Sequence, residues 1–235
     1  MYDVLFSLVS LTYKKDGDMK TIFADTLPTI IRNDRRLYEG DLTGYFRAVF
    51  KNARNLYHPY HNFRHMFHVV WLCYQACAFY AGELNPREMR NLLIAAVFHD
   101  FDHAETMGND AANIAKAIKG LKKYILPGDR SFFKEIAFLI KATEYPPKAA
   151  SHNPSLCGQI LMDADMAQAL SDVWIQQIVF GLGKEYGKRP MEMLENEVAF
   201  HKNLKFHTAW ARKTFSRREI NKKTTEVLEL LELLR

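Results

Sequence analysis

The 235-residue chain lacks most of the features that would place it outside ordinary cytoplasmic proteins. No apolar run approaches the roughly 18 residues needed to span a bilayer, so a membrane-spanning helix is not expected. The first residues, MYDVLFSLVSLTY, lack a basic n-region and a small-residue cleavage site, which argues against a secretory signal peptide. Three cysteines form an odd set without a C-x-x-C pair, which argues against a cysteine zinc site or a disulfide framework. We predict a cytoplasmic protein with no membrane partner.

Strand signals are almost absent, since no hairpin dipeptide stands between two alternating β-branched runs. Apolar residues recur instead at spacings of three and four, which is typical of helices. The segments predicted to be helical are 45–57, 66–81, 89–98, 131–145, 156–170, 171–187, 192–215 and 224–235. Short turns separate them, and none is long enough for an interdomain linker. The sequence therefore predicts one all-α domain over 1–235, a compact helical bundle.

Charge of one sign is in modest excess, with 32 basic and 27 acidic residues and a net charge of +5. Such a surface favours anions such as phosphate esters, but it is too evenly charged to indicate nucleic-acid binding. The last helical segment is leucine-rich and needs an apolar partner, either the chain's own core or a second subunit. We expect a small-molecule partner and no nucleic acid, and a homodimer stays open.

Four of the nine histidines fall in two short motifs, YHNFRH at 60–65 and FHDFDH at 98–103. His61 and His65 are four residues apart, so a helix would place both on one face. Imidazole and carboxylate groups at the end of an apolar helix are costly to bury unless something pairs with them. A metal ion is one such partner, and a purely structural role in an inert helical bundle is the alternative.

His99 and Asp100 are adjacent, and on a regular helix their side chains diverge by about 100°. Near a helix end both can turn toward one pocket, where nitrogen and oxygen ligands suit borderline divalent ions. A third acidic element is LMDADMAQAL, in which Asp163 and Asp165 interrupt an apolar stretch. Because residues two apart point in different directions on a helix, we expect one of these aspartates, not both, to reach the site.

These residues resemble a known family. In chain order, His65, His99-Asp100 and Asp165 match the H…HD…D pattern of the HD phosphohydrolase superfamily. YHNFRH resembles the Y-H-N-x-x-H motif of the class I 3′,5′-cyclic nucleotide phosphodiesterases, and HDFDH resembles their H-D-x-D-H. ATEY at 142–145 is similar to their A-T-D segment, and EVAF at 197–200 to their Gln-Val-Gly-Phe. The resemblance is clearest over 45–215.

The resemblance implies a helical domain of the HD phosphodiesterase type that holds two divalent metal ions of the zinc, manganese, magnesium or iron type. The first ion would be held by His65, His99, Asp100 and Asp165. Asp100 would also bridge to the second ion. A hydroxide between the ions would attack the phosphorus of a cyclic nucleotide, and His61 would act as general acid toward the leaving O3′.

Four further residues take roles from the same resemblance. Tyr60 and His103 would surround the phosphate, and Phe200 would stack on the nucleobase. Glu197 stands where the family has a base-reading glutamine. Because an ionised carboxylate only accepts hydrogen bonds, Glu197 predicts a preference for guanine, which offers two adjacent donors.

Other functions stay open. Another HD phosphohydrolase, such as a deoxynucleoside triphosphate hydrolase or a nucleotidase, shares the metal ligands but does not require the Y-H-N motif or the later E/Q-V-x-F element. A nucleotide-binding module without turnover is a third hypothesis, against which the intact His61 argues. Cyclic dinucleotides and oligonucleotides remain open as substrates, because a chain shorter than the family's usual domain would leave a more open cleft.

Overall fold

A computed structural model describes residues 27–104, 110–145 and 154–235. Within these ranges the chain is all-helical and contains no strand, which confirms the predicted fold class. The described residues form eleven α-helices, numbered here in chain order: α1 Leu27–Arg32, α2 Thr43–Asn52, α3 Phe63–Phe79, α4 Pro86–Phe98, α5 Asp110–Tyr124, α6 Phe133–Lys141, α7 Leu156–Met166, α8 Gly183–Glu185, α9 Pro190–Asn203, α10 Ala209–Thr214 and α11 Arg217–Leu234. Two 3₁₀ helices, Pro127–Phe132 and Ala167–Leu170, and a π-helix, Ile175–Leu182, complete the set. None of these helices is long and apolar enough to cross a membrane.

The core is built on α3 and α4, which pack against each other and against α7. Every residue of α4 from Met89 to Phe98 is buried, as expected of a helix that is apolar on nearly all sides. Its start is fixed by a capping box between Asn85 and Glu88, with Pro86 in the first turn. Because α4 ends at Phe98, the HD pair follows directly where this buried helix stops.

Helix α3 begins one residue after Asn62, whose side chain accepts hydrogen bonds from the backbone N–H groups of Arg64 and His65. This N-cap anchors the first helical turn. The second histidine of the YHNFRH motif therefore projects from a fixed turn against α4.

The predicted helix over 192–215 is wrong as a single segment, because the chain leaves the helix between α9 and α10. The break is held by Asp163 of α7, whose carboxylate accepts hydrogen bonds from the backbone N–H groups of His207 and Thr208, both at 2.8 Å. The Thr208 hydroxyl donates to the same carboxylate at 2.7 Å and caps α10. A tertiary contact thus overrides the local helical pattern.

Two helices, α1 and α5, were not among the predicted segments. In α5 the buried stripe is narrow, and it includes Ile114, Ala117 and Leu121 among alanines and lysines, so the apolar contrast is weak. Helix α5 matters for function because it carries Asn113 to the edge of the site.

The leucine-rich last helix, α11, packs against α9. Its residues Ile220, Val227 and Leu231 are buried there, so the chain's own core covers one face. Leu233 on the other side is 82% exposed. This packing leaves open the homodimer that the sequence allows.

Candidate metal centre and adjoining pocket

Four side chains from three parts of the chain converge on one point. His65 comes from the first turn of α3, His99 and Asp100 follow α4, and Asp165 lies in the last turn of α7. The Nε2 atom of His65 lies 3.0 Å from Oδ1 of Asp165 and 3.3 Å from Oδ2 of Asp100. The Nε2 atom of His99 lies 3.3 Å from the same Asp100 oxygen and 3.4 Å from Nε2 of His65. All of the predicted metal ligands are therefore brought together.

This geometry fits a divalent cation. Nitrogen and oxygen ligands lie about 2.0–2.2 Å from zinc, so two ligands stand about 3.0 Å apart at a right angle and about 3.4 Å apart at a tetrahedral angle. The distances among His65, His99 and Asp100, 3.3 to 3.4 Å, match these values, as does the 3.0 Å from His65 to Asp165. The Nε2 atom of His99 lies 3.6 Å from Oδ1 of Asp165, so His65, His99 and Asp100 form the tighter group for holding an ion. The Nδ1–H of His99 donates to the carbonyl oxygen of Ala96 at 2.8 Å, which turns the lone pair of Nε2 toward the cluster.

Oxygen Oδ2 of Asp100 gives a second indication. It is buried and finds no hydrogen-bond partner among the residues that the structure describes. A buried carboxylate oxygen without a partner is destabilising, and a bound cation would remove that cost. The residues present therefore suit a metal ion by both spacing and charge.

The ionisable groups of the cluster shift one another's pKa values. Burial alone would lower the pKa of His65, but the carboxylates of Asp100 and Asp165 raise it to about 9. The pKa of His99 is likewise raised well above its usual value, against the effect of burial. Burial opposes ionisation of the two aspartates, yet the imidazoles hold both carboxyl pKa values below the usual range. Nearby positive charge therefore stabilises both carboxylates, and a divalent cation would supply such charge.

Only one aspartate of the LMDADM stretch reaches the cluster. Asp165 contacts His65, whereas Asp163 is fully engaged with the chain segment before α10. Their two-residue separation on α7 turns the carboxylates in different directions. Asp163 therefore has a structural role.

A second acid–imidazole pair lies beside the cluster. The Nδ1 atom of His61 is 2.5 Å from Oε2 of Glu185, and Oε1 of Glu185 accepts the backbone N–H groups of Tyr60 and His61. Burial would raise the pKa of Glu185, but these contacts with His61 and the backbone lower it. The imidazole of His61 stacks on that of His103, with ring centroids 3.6 Å apart. Glu185 was missed from the sequence, where its only signal is an acidic residue in the largely apolar stretch 173–186.

The π-helix explains how Glu185 arrives at this position. Single turns of π-helix are frequent at functional sites, and this one leads directly into α8, which ends at Glu185. Gly181 within it packs so closely that a Cβ atom there would lie 2.7 Å from the carbonyl oxygen of Pro59. The absence of a side chain at Gly181 therefore lets the π-helix approach the segment that carries His61.

A buried amide joins the two histidine motifs. The side-chain nitrogen of Asn55 donates to the carbonyl oxygens of His61 and Asp100, both at 2.7 Å. Its side-chain oxygen accepts the backbone N–H of Asp102 at 3.0 Å. Asp102 adopts a positive φ of 59°, a strained conformation for a residue other than glycine. Asn55 thus connects the YHNFRH segment to the turn that carries the HD pair.

A cavity of about 420 Å³ opens over these groups, within the size range of small-molecule sites. All residues that the sequence assigned to the site line it: Tyr60, His61, His65, His99, Asp100, His103, Asp165, Glu197 and Phe200. Ile178, Leu182 and Tyr186 add an apolar wall. The cavity therefore combines an ionic end with an apolar end, as a nucleotide would require.

Glu197 differs from its predicted state. It is 5% exposed, and burial raises the pKa of its carboxyl group to about 7. Its oxygen Oε2 lies 3.4 Å from Nε2 of His201 but forms no hydrogen bond to any described residue. The sequence argument took Glu197 to be ionised, which is wrong below about pH 7 because the neutral acid then dominates. A neutral carboxylic acid is both a donor and an acceptor, like the glutamine amide.

No family model matches the chain, and no curated protein matches it. The chemistry of the site must therefore be inferred from the arrangement of its own residues.

Proposed function

We propose that the protein is a metal-dependent phosphodiesterase that hydrolyses the 3′,5′-phosphodiester bond of a cyclic nucleotide. The observation that supports this proposal is the convergence of four metal-type ligand atoms beside an imidazole that is held by a buried carboxylate. The motif resemblance supports the same activity and, with it, membership of the HD phosphohydrolase superfamily.

The ligand cluster defines where the phosphate would lie. His65, His99 and Asp100 would hold the first cation together with Asp165, which lies 3.0 Å from His65, and Asp100 would contact a second. When bound, two such cations neutralise phosphodiester charge and activate water for in-line attack. The buried position of both histidines keeps these ligands in place before substrate arrives.

His61 is the group that donates a proton to the leaving O3′. Its Nδ1–H is directed at Glu185, so Nε2 is the nitrogen left for the substrate. The Glu185 carboxylate fixes the ring orientation of His61, as an acidic partner does in other acid–base pairs. A histidine suits this role because its unperturbed pKa of about 6.5 lies near neutral pH.

The neighbouring groups support this proton donor without competing with it. Burial lowers the pKa of His103 to about 4, and the amide of Asn113 donates to its Nε2 at 2.9 Å. His103 is therefore neutral where it stacks on His61. Burial, followed by nearby carboxylates, raises the pKa of Tyr60 well above 10, so its hydroxyl keeps its proton and can donate to a phosphate oxygen.

Product analysis tests the proposal. Purified protein with added manganese should convert a 3′,5′-cyclic nucleotide to the 5′-mononucleotide, and a chelator should abolish the reaction. A panel that also contains deoxynucleoside triphosphates and 5′-mononucleotides separates the alternatives. Release of tripolyphosphate or of phosphate instead would favour the other HD activities, and tight nucleotide binding without any product would favour a binding module.

A further inference from the structure

A second cavity adjoins the first. It has a volume of about 430 Å³, and Asp165 and Phe200 line both cavities. Thr143, Tyr145 and Met166 are also shared, so the two cavities lie next to each other beside the ligand cluster. Asp165 is a ligand of the cluster, and the scissile phosphate would therefore lie at the junction of the two cavities.

The two ester oxygens of a phosphodiester diverge from the tetrahedral phosphorus toward two different carbon atoms. In a 3′,5′-cyclic mononucleotide both ester oxygens belong to one ribose, so a single nucleoside fills one cavity. In a diester that joins two nucleosides, one nucleoside lies on each side of the phosphate. A cavity on each side of Asp165 matches the second arrangement.

The side chains of the second cavity suit a nucleotide. Its walls include the apolar groups of Met162, Ala199 and Leu204, which can contact a base. Phe200 lines both cavities, and an aromatic ring offers stacking faces to any base. The polar atoms come from groups on the rim that include Asn196 and Lys205.

Charge favours a second phosphate on this rim. Lys205 is exposed. Among the described residues that line the second cavity, it is the one with an ammonium group. Of the acidic groups that line it, Asp163 is engaged by His207 and Thr208, and Asp165 belongs to the ligand cluster. Glu144 is the remaining carboxylate. An ammonium group is a good partner for a phosphate as a point charge.

We propose that the second cavity binds a second nucleotide unit, so that the substrate class of this site includes dinucleotides that carry a further phosphate. This inference rests on the proposed phosphodiesterase activity. In the reaction, a water oxygen forms a bond to phosphorus while the bond from phosphorus to O3′ breaks. His61 gives its proton to O3′ and recovers one from the water. The products are one part with a free 3′-hydroxyl and one with a 5′-phosphate.

The test compares the linear dinucleotide pApA with cyclic AMP, in the presence of manganese. Lys205→Ala should lower the ratio of kcat/KM for pApA over cyclic AMP roughly 10-fold, the worth of about one hydrogen bond to a charged group. Lys202→Ala is the matched control, since Lys202 is also exposed near the end of α9 but lines neither cavity. The control should keep the wild-type ratio.

Equilibrium binding of the phosphorothioate analogue of pApA provides a readout that does not depend on turnover. Lys205→Ala should weaken this binding by a similar factor, and Ala199→Trp, which fills the cavity from α9, should weaken it further. Identical ratios and identical affinities in all four proteins would overturn the inference. A protein that cleaves cyclic AMP but neither binds nor cleaves pApA would refute the second nucleotide site and leave the proposed function intact. Binding of pApA that depends on Lys205, without cleavage of any diester, would instead support the second site and refute the proposed function.

Discussion

Two buried acidic clusters in this protein are built differently. Asp129, 1% exposed, has both carboxylate oxygens paired within the chain. Arg90 donates to Oδ1 at 2.8 Å and to Oδ2 at 2.7 Å, Arg87 donates to Oδ1, and the Tyr45 hydroxyl donates to Oδ2 at 2.7 Å. The cluster of Asp100 and Asp165 meets imidazoles instead, and one oxygen of Asp100 finds no hydrogen bond within the described ranges.

This difference separates a carboxylate that stabilises the fold from a cluster that is suited to bind a ligand. Asp129 is complete without any ligand, and its carboxyl pKa falls to about 2 because the guanidinium of Arg90 and the other donors outweigh the effect of burial. The second cluster is incomplete, and it opens into a cavity. A buried carboxylate that the chain satisfies holds the fold together, whereas one left unsatisfied among converging ligands indicates a site for something outside the chain.

Asp100→Ala has the largest expected effect, because it removes a carboxylate from the unsatisfied cluster. Because Asp100 contributes to both proposed cations, the variant should lose bound metal and turnover together. A bound cation supplies several kcal/mol of charge stabilisation, so the rate should fall by about 10³- to 10⁵-fold. Elemental analysis and an activity assay on the same purified sample check this. Full turnover in the variant would show that the metal assignment is wrong.

His61→Ala tests the neighbouring pair with a smaller effect. The rate should fall by about 10²- to 10⁴-fold, the usual contribution of general acid catalysis, while metal content stays at the wild-type level. An ester of p-nitrophenol has a leaving group that needs no proton, so its hydrolysis should recover much of the lost rate. Loss of metal would instead identify His61 as a ligand.

The sequence predicted that these four side chains converge because they lie in motifs with fixed local spacing. His65 lies at the start of an apolar helix, His99 and Asp100 follow one, and Asp165 ends one. The periodicity of those helices is visible in the chain. Glu185 has no such signal, because its partner His61 is 124 residues away and meets it only through the packing of the π-helix. The same limit applies to the break between α9 and α10, which depends on a carboxylate from α7.

Burial is the other quantity that a sequence does not provide. The sequence argument treated the carboxyl group of Glu197 as ionised. Its protonation state depends on how α9 packs against the cavity, and burial raises its pKa to about 7. Local pattern therefore predicted which residues lie together around the cavity, but not the protonation state of every one.

Asp129→Ala tests the other cluster, whose carboxylate is fully paired within the chain. Removing one partner of a buried ion pair leaves the two arginines without their acceptor, which typically costs about 3–5 kcal/mol of unfolding free energy. Urea denaturation at pH 7 measures this loss. The folded fraction should still bind metal as the wild type does. Because the pKa of Asp129 is depressed, its contribution to stability is present above about pH 4 and is lost as the pH falls toward 2.

Glu197→Gln has the smallest expected effect and concerns base choice. Above pH 7 the ionised Glu197 should favour guanine over adenine by about 1–3 kcal/mol, since it can accept both guanine donors. Below pH 7 the neutral acid also offers a donor to N1 of adenine, so the preference should shrink. His201 and Tyr60 do not titrate in this range, because the pKa of His201 is lowered to about 4 and that of Tyr60 is raised above 10.

The measurement is kcat/KM for cyclic GMP and cyclic AMP at pH 6 and pH 8.5 in both proteins. The ratio should change with pH in the wild type and stay constant in Glu197→Gln. A pH-independent ratio in the wild type would remove Glu197 from base recognition. Stability provides a control. Between pH 4.5 and 7 the native Glu197 keeps a proton that the unfolded chain releases, so its contribution to the free energy of unfolding falls as pH rises. The difference in unfolding free energy between the wild type and Glu197→Gln should therefore change by about 3 kcal/mol over this range.

Asn55 has a consequence for motion. The segment from Ala53 to Asn62 lies between α2 and α3, and the Asn55 amide connects it to the turn after α4. Three hydrogen bonds cross between the segments: from the Asn55 amide to the carbonyl oxygen of Asp100, from the Asp102 N–H to Asn55, and from the Arg54 N–H to the Asp102 carboxylate. Opening of either segment must break them, so the two should open as one cooperative unit. The backbone amide hydrogens of His61 and Asp102 should then exchange with solvent deuterium at matching rates, although the residues lie in different motifs. The proton donor and the ligand cluster would thus keep a constant separation while the rest of the cavity adjusts to what it binds.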